Sequence, residues 1–528
     1  MPLTLLPTRA SYRSSDSIGV EVRGDLPAAD GTVSVWRLGE LLHTQPLQPG
    51  ALQTIPSLPP GGYGIELDGG GWRARTAIEV TDDPRSRLRY GFVASYDPGK
   101  DVLAVAELAR RLHLNAIQFY DWAFRHADLL GGGEEYVDAL GQPITLATVR
   151  ELTSALRQAG SASYGYAAVY AVGPDEWPSW KQHALLRPSG EPYSLEDFLF
   201  ILDPAAPAWL NHFTAELAAA VDDLGFDGFH LDQYGYPKHA ATPDGNPVDV
   251  AASFARLIDE VRRELPDAGL VFNNVNDFPT WDTAHAPQDA VYIEPWEPVL
   301  GLEALARVAT RARAGGLPVV FAAYQHTYTH ASADAADRAA AFTMATLFSH
   351  GATQLLTGEH GKVLVDPYYV RNHDPEPTTM EFLTRWYDFA VEHDALLFDT
   401  RIVDVTASYV GDYNDELDVA HVGIKATETA VAGAIWRHVT RTPEGIVVHL
   451  INLVGQDDTM WDAPRNPPGP TGPGELRFRF IRGRVPRVRV ADPDAGPRLV
   501  EVPVSLHGDH AVATLPAFDV WQVVHVSL

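Results

Sequence analysis

Three acidic residues stand where short apolar runs give out. They are Asp121 in Gln118-Phe119-Tyr120-Asp121-Trp122, Asp232 in His230-Leu231-Asp232-Gln233-Tyr234, and Glu294 in Tyr292-Ile293-Glu294-Pro295-Trp296. A lone carboxylate at such a place often caps a helix. Several of them among amides and aromatic rings fit a different chemistry. One carboxylate attacks a carbon or activates water while a second, protonated carboxyl hands its proton to a departing oxygen, as glycoside cleavage requires. The neighbours Tyr120, Tyr170, His230, Asn274 and Trp296 suit a sugar, whose hydroxyls bond to polar groups and whose C–H faces stack on rings. Asp232 and Glu294 form the best pair. Strand alternation sets Asp232 beside His230, and Glu294 beside Tyr292 and Trp296. If their strands are separated by one other, the strand ends lie about 10 Å apart and the side chains can close to about 5 Å. Asp232 is then expected as the ionised nucleophile and Glu294 as the protonated acid. His230 with Asp232 could instead begin a metal site, but no third ligand follows at a suitable spacing, so neither metal nor cofactor is expected. Trp122 reads as core, whereas Trp177, Trp180 and Trp296 read either as core or as sugar platforms.

Such an arrangement needs a scaffold that brings many strand ends to one rim. From 86 to 398 the chain alternates strand patterns with amphipathic helices. The strands are LRYGFVASY, AIQFYDW, SYGYAAVYA, GFHLDQYG, GLVFNNV, AVYIEPW, LPVVFAAYQ and TQLLTGE. Leu210, Phe213, Leu217, Val221 and Leu224 share one helical face, as do Val250, Phe254, Leu257, Ile258 and Val261. Eight such alternations predict a central (β/α)8 TIM barrel, whose chemistry sits where strands run into loops. No glycine-rich phosphate loop follows any strand. Residues 1–85 carry short alternating runs such as TVSVWRL and GYGIELD between PG and PPGG turns, which predicts a β-sandwich. Residues 399–528 return to that texture and predict a C-terminal antiparallel β-sandwich interrupted by the Pro/Gly-rich loop APRNPPGPTGPGE. The fold class is thus multidomain, α/β plus β.

Composition narrows the partners. Against 40 Lys and Arg stand 69 Asp and Glu, a net charge of −29, which repels nucleic acid and anionic membranes. A neutral or cationic small molecule, or a neutral polymer, is the easier partner; oligomeric state is not written in the sequence. The absence of cysteine removes disulfides, thiolate metal sites and cysteine nucleophiles. MPLTLLPTRASYRSSDS lacks the basic flank and long apolar run of a leader, so the expected place is the cytoplasm, or outside the cell if a leader has been removed.

Taken in order, IQFYDWAFRH, AVYAVGPDEW, GFDGFHLDQYG and VYIEPWE resemble glycoside hydrolase family 66, which holds dextranases and cycloisomaltooligosaccharide glucanotransferases. The resemblance implies an N-terminal immunoglobulin-like sandwich, a (β/α)8 catalytic domain and a C-terminal β-sandwich. It implies retaining cleavage of α-1,6-linked glucan, with Asp232 as nucleophile, Glu294 as acid/base and Asp121 as a sugar ligand beside the cleaved bond. The family's glucanotransferases carry a carbohydrate-binding insert near the seventh barrel strand. Here only YQHTYTHASAD joins that strand to its helix, so the resemblance favours hydrolysis over cyclisation.

Overall fold

The alternation over the middle of the chain becomes one ten-stranded sheet in a computed structural model that describes residues 3–527 apart from 25–30, 70, 412, 482–483 and 485. Its strands are β1 (Tyr90–Val93), β2 (Ala116–Phe119), β3 (Ala162–Ala168), β4 (Gly228–Asp232), β5 (Gly269–Val275), β6 (Ala290–Glu294), β7 (Val319–Phe321), β8 (Ala352–Gln354) and β9 (Thr357–Gly358), with Lys362–Val363 as an antiparallel edge. Neighbours from β1 to β8 pair in chain order and in parallel. β9 pairs with β1. The expectation of a closed barrel is met in part: the sheet is curled and mainly parallel, but its ladder breaks between β8 and β9. The reason lies in Leu355 and Leu356: the first gives its N–H to Phe321 on β7, and the carbonyl of the second accepts from Leu364.

Helices pack outside the sheet as their apolar spacing dictates. They are α1 (Val102–Arg111), α2 (Leu146–Gln158), α3 (Pro207–Leu224), α4 (Val250–Glu264), α5 (Leu302–Arg313), α6 (Ala333–Ser349) and α7 (Pro377–Glu392). Asp101, Asp249 and Ser332 cap α1, α4 and α6 by accepting from free N–H groups of the first turn. Gly225 ends α3 in the left-handed region, with φ +73°, where a side chain would be strained. Four of the five expected α3 positions are buried and Val221 is half-buried; all five in α4 are buried. One expectation fails. Only the single turn Thr280–Thr283 lies between β5 and β6, because Pro279 and Pro287 bracket a connection too short for more.

Residues before β1 form a three-stranded and a four-stranded antiparallel sheet around a core that includes Val20, Val35, Ile55 and Ile65. The last part of the chain forms a seven-stranded and a four-stranded sheet, with Val448, Leu476 and Val524 between them. The other face of the larger sheet, through Trp436 and Trp521, packs into the central core.

Candidate active site

Register explains which side chains meet inside the curled sheet. Tyr166 pairs with His230 across β3 and β4, His230 with Val271 on β5, and Asn273 with Tyr292 on β6. With a period of two, Tyr166, His230, Asp232, Asn273, Tyr292 and Glu294 all fall on the inner face. They line a cleft of about 280 Å³ together with Tyr120, Asp121, Trp296, Tyr324 and Tyr369.

A single amide ties the two expected acids together. Asn273 Nδ2 donates to Asp232 Oδ1 at 2.7 Å and to Glu294 Oε2 at 3.0 Å. The two oxygens can be no farther apart than those lengths end to end. That is short of the roughly 6.5–9.5 Å between the carboxyls of inverting glycosidases. The outer oxygens are also held: Tyr166 donates its hydroxyl to Asp232 Oδ2 at 2.8 Å, and Tyr324 to Glu294 Oε1 at 2.7 Å. Burial and the neighbouring Glu294 charge push Asp232 up to about 7, against the pull of its Asn273 and Tyr166 bonds. Burial raises Glu294 as well, opposed by its bonds to Tyr324 and Asn273. Two acids so placed lose their protons less readily than a lone exposed carboxyl.

Asp121 sits at the mouth of β2 with φ +42°, a conformation that costs a non-glycine residue about 1–3 kcal/mol. Burial, then the charges of Asp138 and Asp232, raise its carboxyl to about 8. Tyr120 lies flat on Tyr369 at 4.4 Å, making an aromatic wall. His230 is 2% exposed and parallel to Tyr166; burial lowers it to about 3, so it is neutral and offers hydrogen bonds without charge. Trp296, 39% exposed, stands at the rim beside Tyr324. Among the described residues no Lys or Arg lines the cleft.

Two expected ligands do not reach it. Tyr170 is fully buried, accepts the Tyr234 N–H at 3.0 Å and donates to the Tyr236 carbonyl at 2.6 Å, so it braces the loop after β4. Asn274 points out of the sheet, donating to the Phe272 and Tyr292 carbonyls and accepting from Thr283. Its neighbour Asn273 takes the inner position. The pairing of His230 with Val271 sets that choice, two residues before Asn273, and the sequence alone does not give that register. Tyr166, Tyr324 and Tyr369 were also missed; Tyr166 shares the period of β3, while Tyr369 comes from a turn far along the chain and left no local trace. Trp177 stacks on Phe200 and Trp180 packs on Trp209, away from the cleft, and Trp122 is core, donating to the Tyr166 carbonyl. Glu359, on the same rim, is engaged by Lys100 and the Ala94 and Ser95 N–H groups. Among the described residues no third His, Asp or Glu joins His230 and Asp232 in a metal-binding group.

The family model described as glycosyl hydrolase family 66 matches residues 47–525. The chain belongs to that family. Two family-related glucanotransferases and a dextranase are among its relatives. Two cycloisomaltooligosaccharide glucanotransferases of Niallia circulans are 26% identical over 60% of this chain and 37% of their own length, and 21% identical over 88% and 64%. A dextranase of Streptococcus salivarius is 25% identical over 42% of the chain and 31% of its own length. The chain thus spans about a third to two thirds of these relatives. A crystal structure of a Paenibacillus cycloisomaltooligosaccharide glucanotransferase complexed with cycloisomaltoheptaose matches with a TM-score of 0.86 at 19% identity, over 99% of this chain and 100% of that one. An α-amylase of Geobacillus thermoleovorans complexed with acarbose matches with 0.54 at 12% identity, over 85% and 100%. These likenesses are of fold. For this family 66 chain they show a shared scaffold.

Proposed function

We propose that the chain is a retaining glycoside hydrolase that cleaves α-1,6-glucosidic linkages of dextran or isomaltooligosaccharides. The observation that carries this is the Asn273 nitrogen shared by Asp232 and Glu294. It supports a carboxyl pair near the roughly 5–5.5 Å of retaining enzymes. Asp232 Oδ attacks the anomeric carbon, and the glycosidic C–O bond breaks as Glu294 gives its proton to the leaving oxygen. A water then attacks the glycosyl ester. Glu294 takes the water's proton, Asp232 leaves, and the sugar departs with its original configuration. Asp121 and His230 bind sugar hydroxyls, while Tyr120 and Trp296 offer flat faces. Sequence order and sheet curl support a (β/α)8 barrel at 86–398 between sandwiches at 1–85 and 399–528.

A second reading is glucanotransfer, in which a sugar hydroxyl replaces water. The names of the two Niallia relatives favour it. The short connection from β7 to α6 favours hydrolysis. The test is digestion of α-1,6, α-1,4, α-1,3 and furanoside substrates, with products separated by chromatography and the new anomer read by NMR. Short α-configured isomaltooligosaccharides are expected from the α-1,6 substrates. Longer or cyclic products would favour transfer; a β-anomer would exclude retention. Release only from other substrates would exclude the α-1,6 assignment, and no release from any would leave a glycan-binding protein.

A further inference from the structure

On the side of the sheet opposite the cleft, the starts of β2 and β3 meet the N-terminal segment around a second cavity of about 310 Å³. In a chain of net charge −29 its wall is conspicuously basic: Arg9, Arg13, Arg85 and Arg157 all line it, against one carboxylate, Asp227. That carboxylate is already committed, with Oδ1 on Arg157 at 3.1 Å and Oδ2 on the Ser163 N–H at 2.9 Å. Arg85 is held by the Asp267 carbonyl at 2.5 Å and lies 3.7 Å from Asp289. Among the described residues neither Arg9 nor Arg13 forms a salt bridge, and Asp82, the carboxylate whose charge Arg13 feels, is bonded by the Ser14 N–H and hydroxyl. Two donors in the wall are buried without a partner, Arg9 Nε and the hydroxyl of Ser161, a residue only 3% exposed. An unmade hydrogen bond of this kind costs about 1–3 kcal/mol, which an acceptor in the cavity would relieve.

We propose that this cavity is a binding site for a phosphate group, either free or as the monoester of a small sugar. Guanidinium forks match the tetrahedral oxygens in pairs, and two unpaired arginines beside a buried hydroxyl give the charge and the donors such a group takes. The ligand bridges Arg9 and Arg13, on the N-terminal segment, to Ser161 at the head of β3. It therefore joins the flanking sheets to the catalytic sheet from the floor, remote from the cleavage site.

The test is thermal unfolding of the full chain at constant ionic strength, with chloride replaced by inorganic phosphate or by a hexose phosphate. The expected result is a saturable rise of about 2–4 °C, lost in the double variant Arg9→Ala/Arg13→Ala, whose glycoside cleavage stays within twofold of the parent. A tenfold lower midpoint for the hexose phosphate assigns the ester as ligand; equal midpoints assign free phosphate. Should the double variant not fold, Arg13→Glu, a change at an exposed side chain, must still raise the midpoint at least tenfold. An unsaturable rise, no rise, or the same rise in parent and variants overturns the proposal.

Discussion

At Asp232 burial of an ionisable carboxyl works against folding. Its folded-state value of about 7 lies above the ordinary carboxylate value of 3.8, so the native state holds the proton more tightly than the unfolded chain does. Stability from this group is full at low pH and is lost as pH rises through that window. Asp232→Asn removes the loss. Its melting temperature should exceed that of the parent by more at pH 8 than at pH 4, while turnover of isomaltooligosaccharides falls at least about 1,000-fold. Near-normal turnover would exclude Asp232 as nucleophile. Glu294→Gln should spare substrates with an activated phenolic leaving group, which needs no proton, and lose those with a sugar leaving group. Asn273 tests the bridge itself. Hydrogen bonds to charged groups contribute about 1.5–3 kcal/mol, so Asn273→Ala should lower kcat about 10- to 150-fold. Both of its bonds lower the acids they touch, so both limbs of the pH–rate profile should move to higher pH. A drop in kcat with unmoved limbs would reduce Asn273 to packing.

The strands and their loops decide which residues can take part at all. The places of Asp121, Asp232 and Glu294 on the cleft were legible because such a strand announces its own end: an apolar run stops and a polar residue follows. Which of two adjacent asparagines faces inward was not, because the pairing of His230 with Val271 across β4 and β5 fixes it and only the folded sheet supplies that register. Tyr369 was not, since its contact with Tyr120 joins segments that only the folded chain brings together. The missing long helix after β5 shows the limit of counting alternations, because two prolines shortened the connection that the pattern had assumed. Tyr170 is the case where the right element was chosen for the wrong work. Its hydroxyl carries two backbone groups of the loop that presents Tyr234 and Tyr236 to the cleft. Tyr170→Phe should cost about 1–3 kcal/mol by urea denaturation and raise KM several-fold more than it lowers kcat. Asn274→Ala should cost a similar amount of stability with KM unchanged.

Across the whole molecule the N-terminal sheets are joined to the central sheet by buried charge as well as by apolar contact. Arg89, just before β1, pairs at 2.7 Å with Glu79, and both are almost fully buried. Removing one partner strands the other. Arg89→Ala should therefore cost about 3–5 kcal/mol, and Arg89→Met combined with Glu79→Gln clearly less, both read from denaturant unfolding. Equal losses would show that the pair contributes through shape alone. On the opposite flank Trp521 packs on Phe389 and Trp386 of α7, so that helix is covered from both ends of the chain.

The seat of α7 on the first sheets has an outcome for how this architecture can be rearranged. A side chain at Gly62 would begin 1.8 Å from the Val391 carbonyl, and Arg75 neutralises Glu392, which is otherwise sealed from water. A fragment starting at residue 86 would inherit an orphaned anion at the end of α7 and an orphaned cation at Arg89, each on a surface shaped for a bare backbone that is gone. Shuffling the central unit onto another protein would mean carrying its N-terminal companion along, or recreating there a glycine-lined strand beside one with a guanidinium and a carboxylate at matching heights.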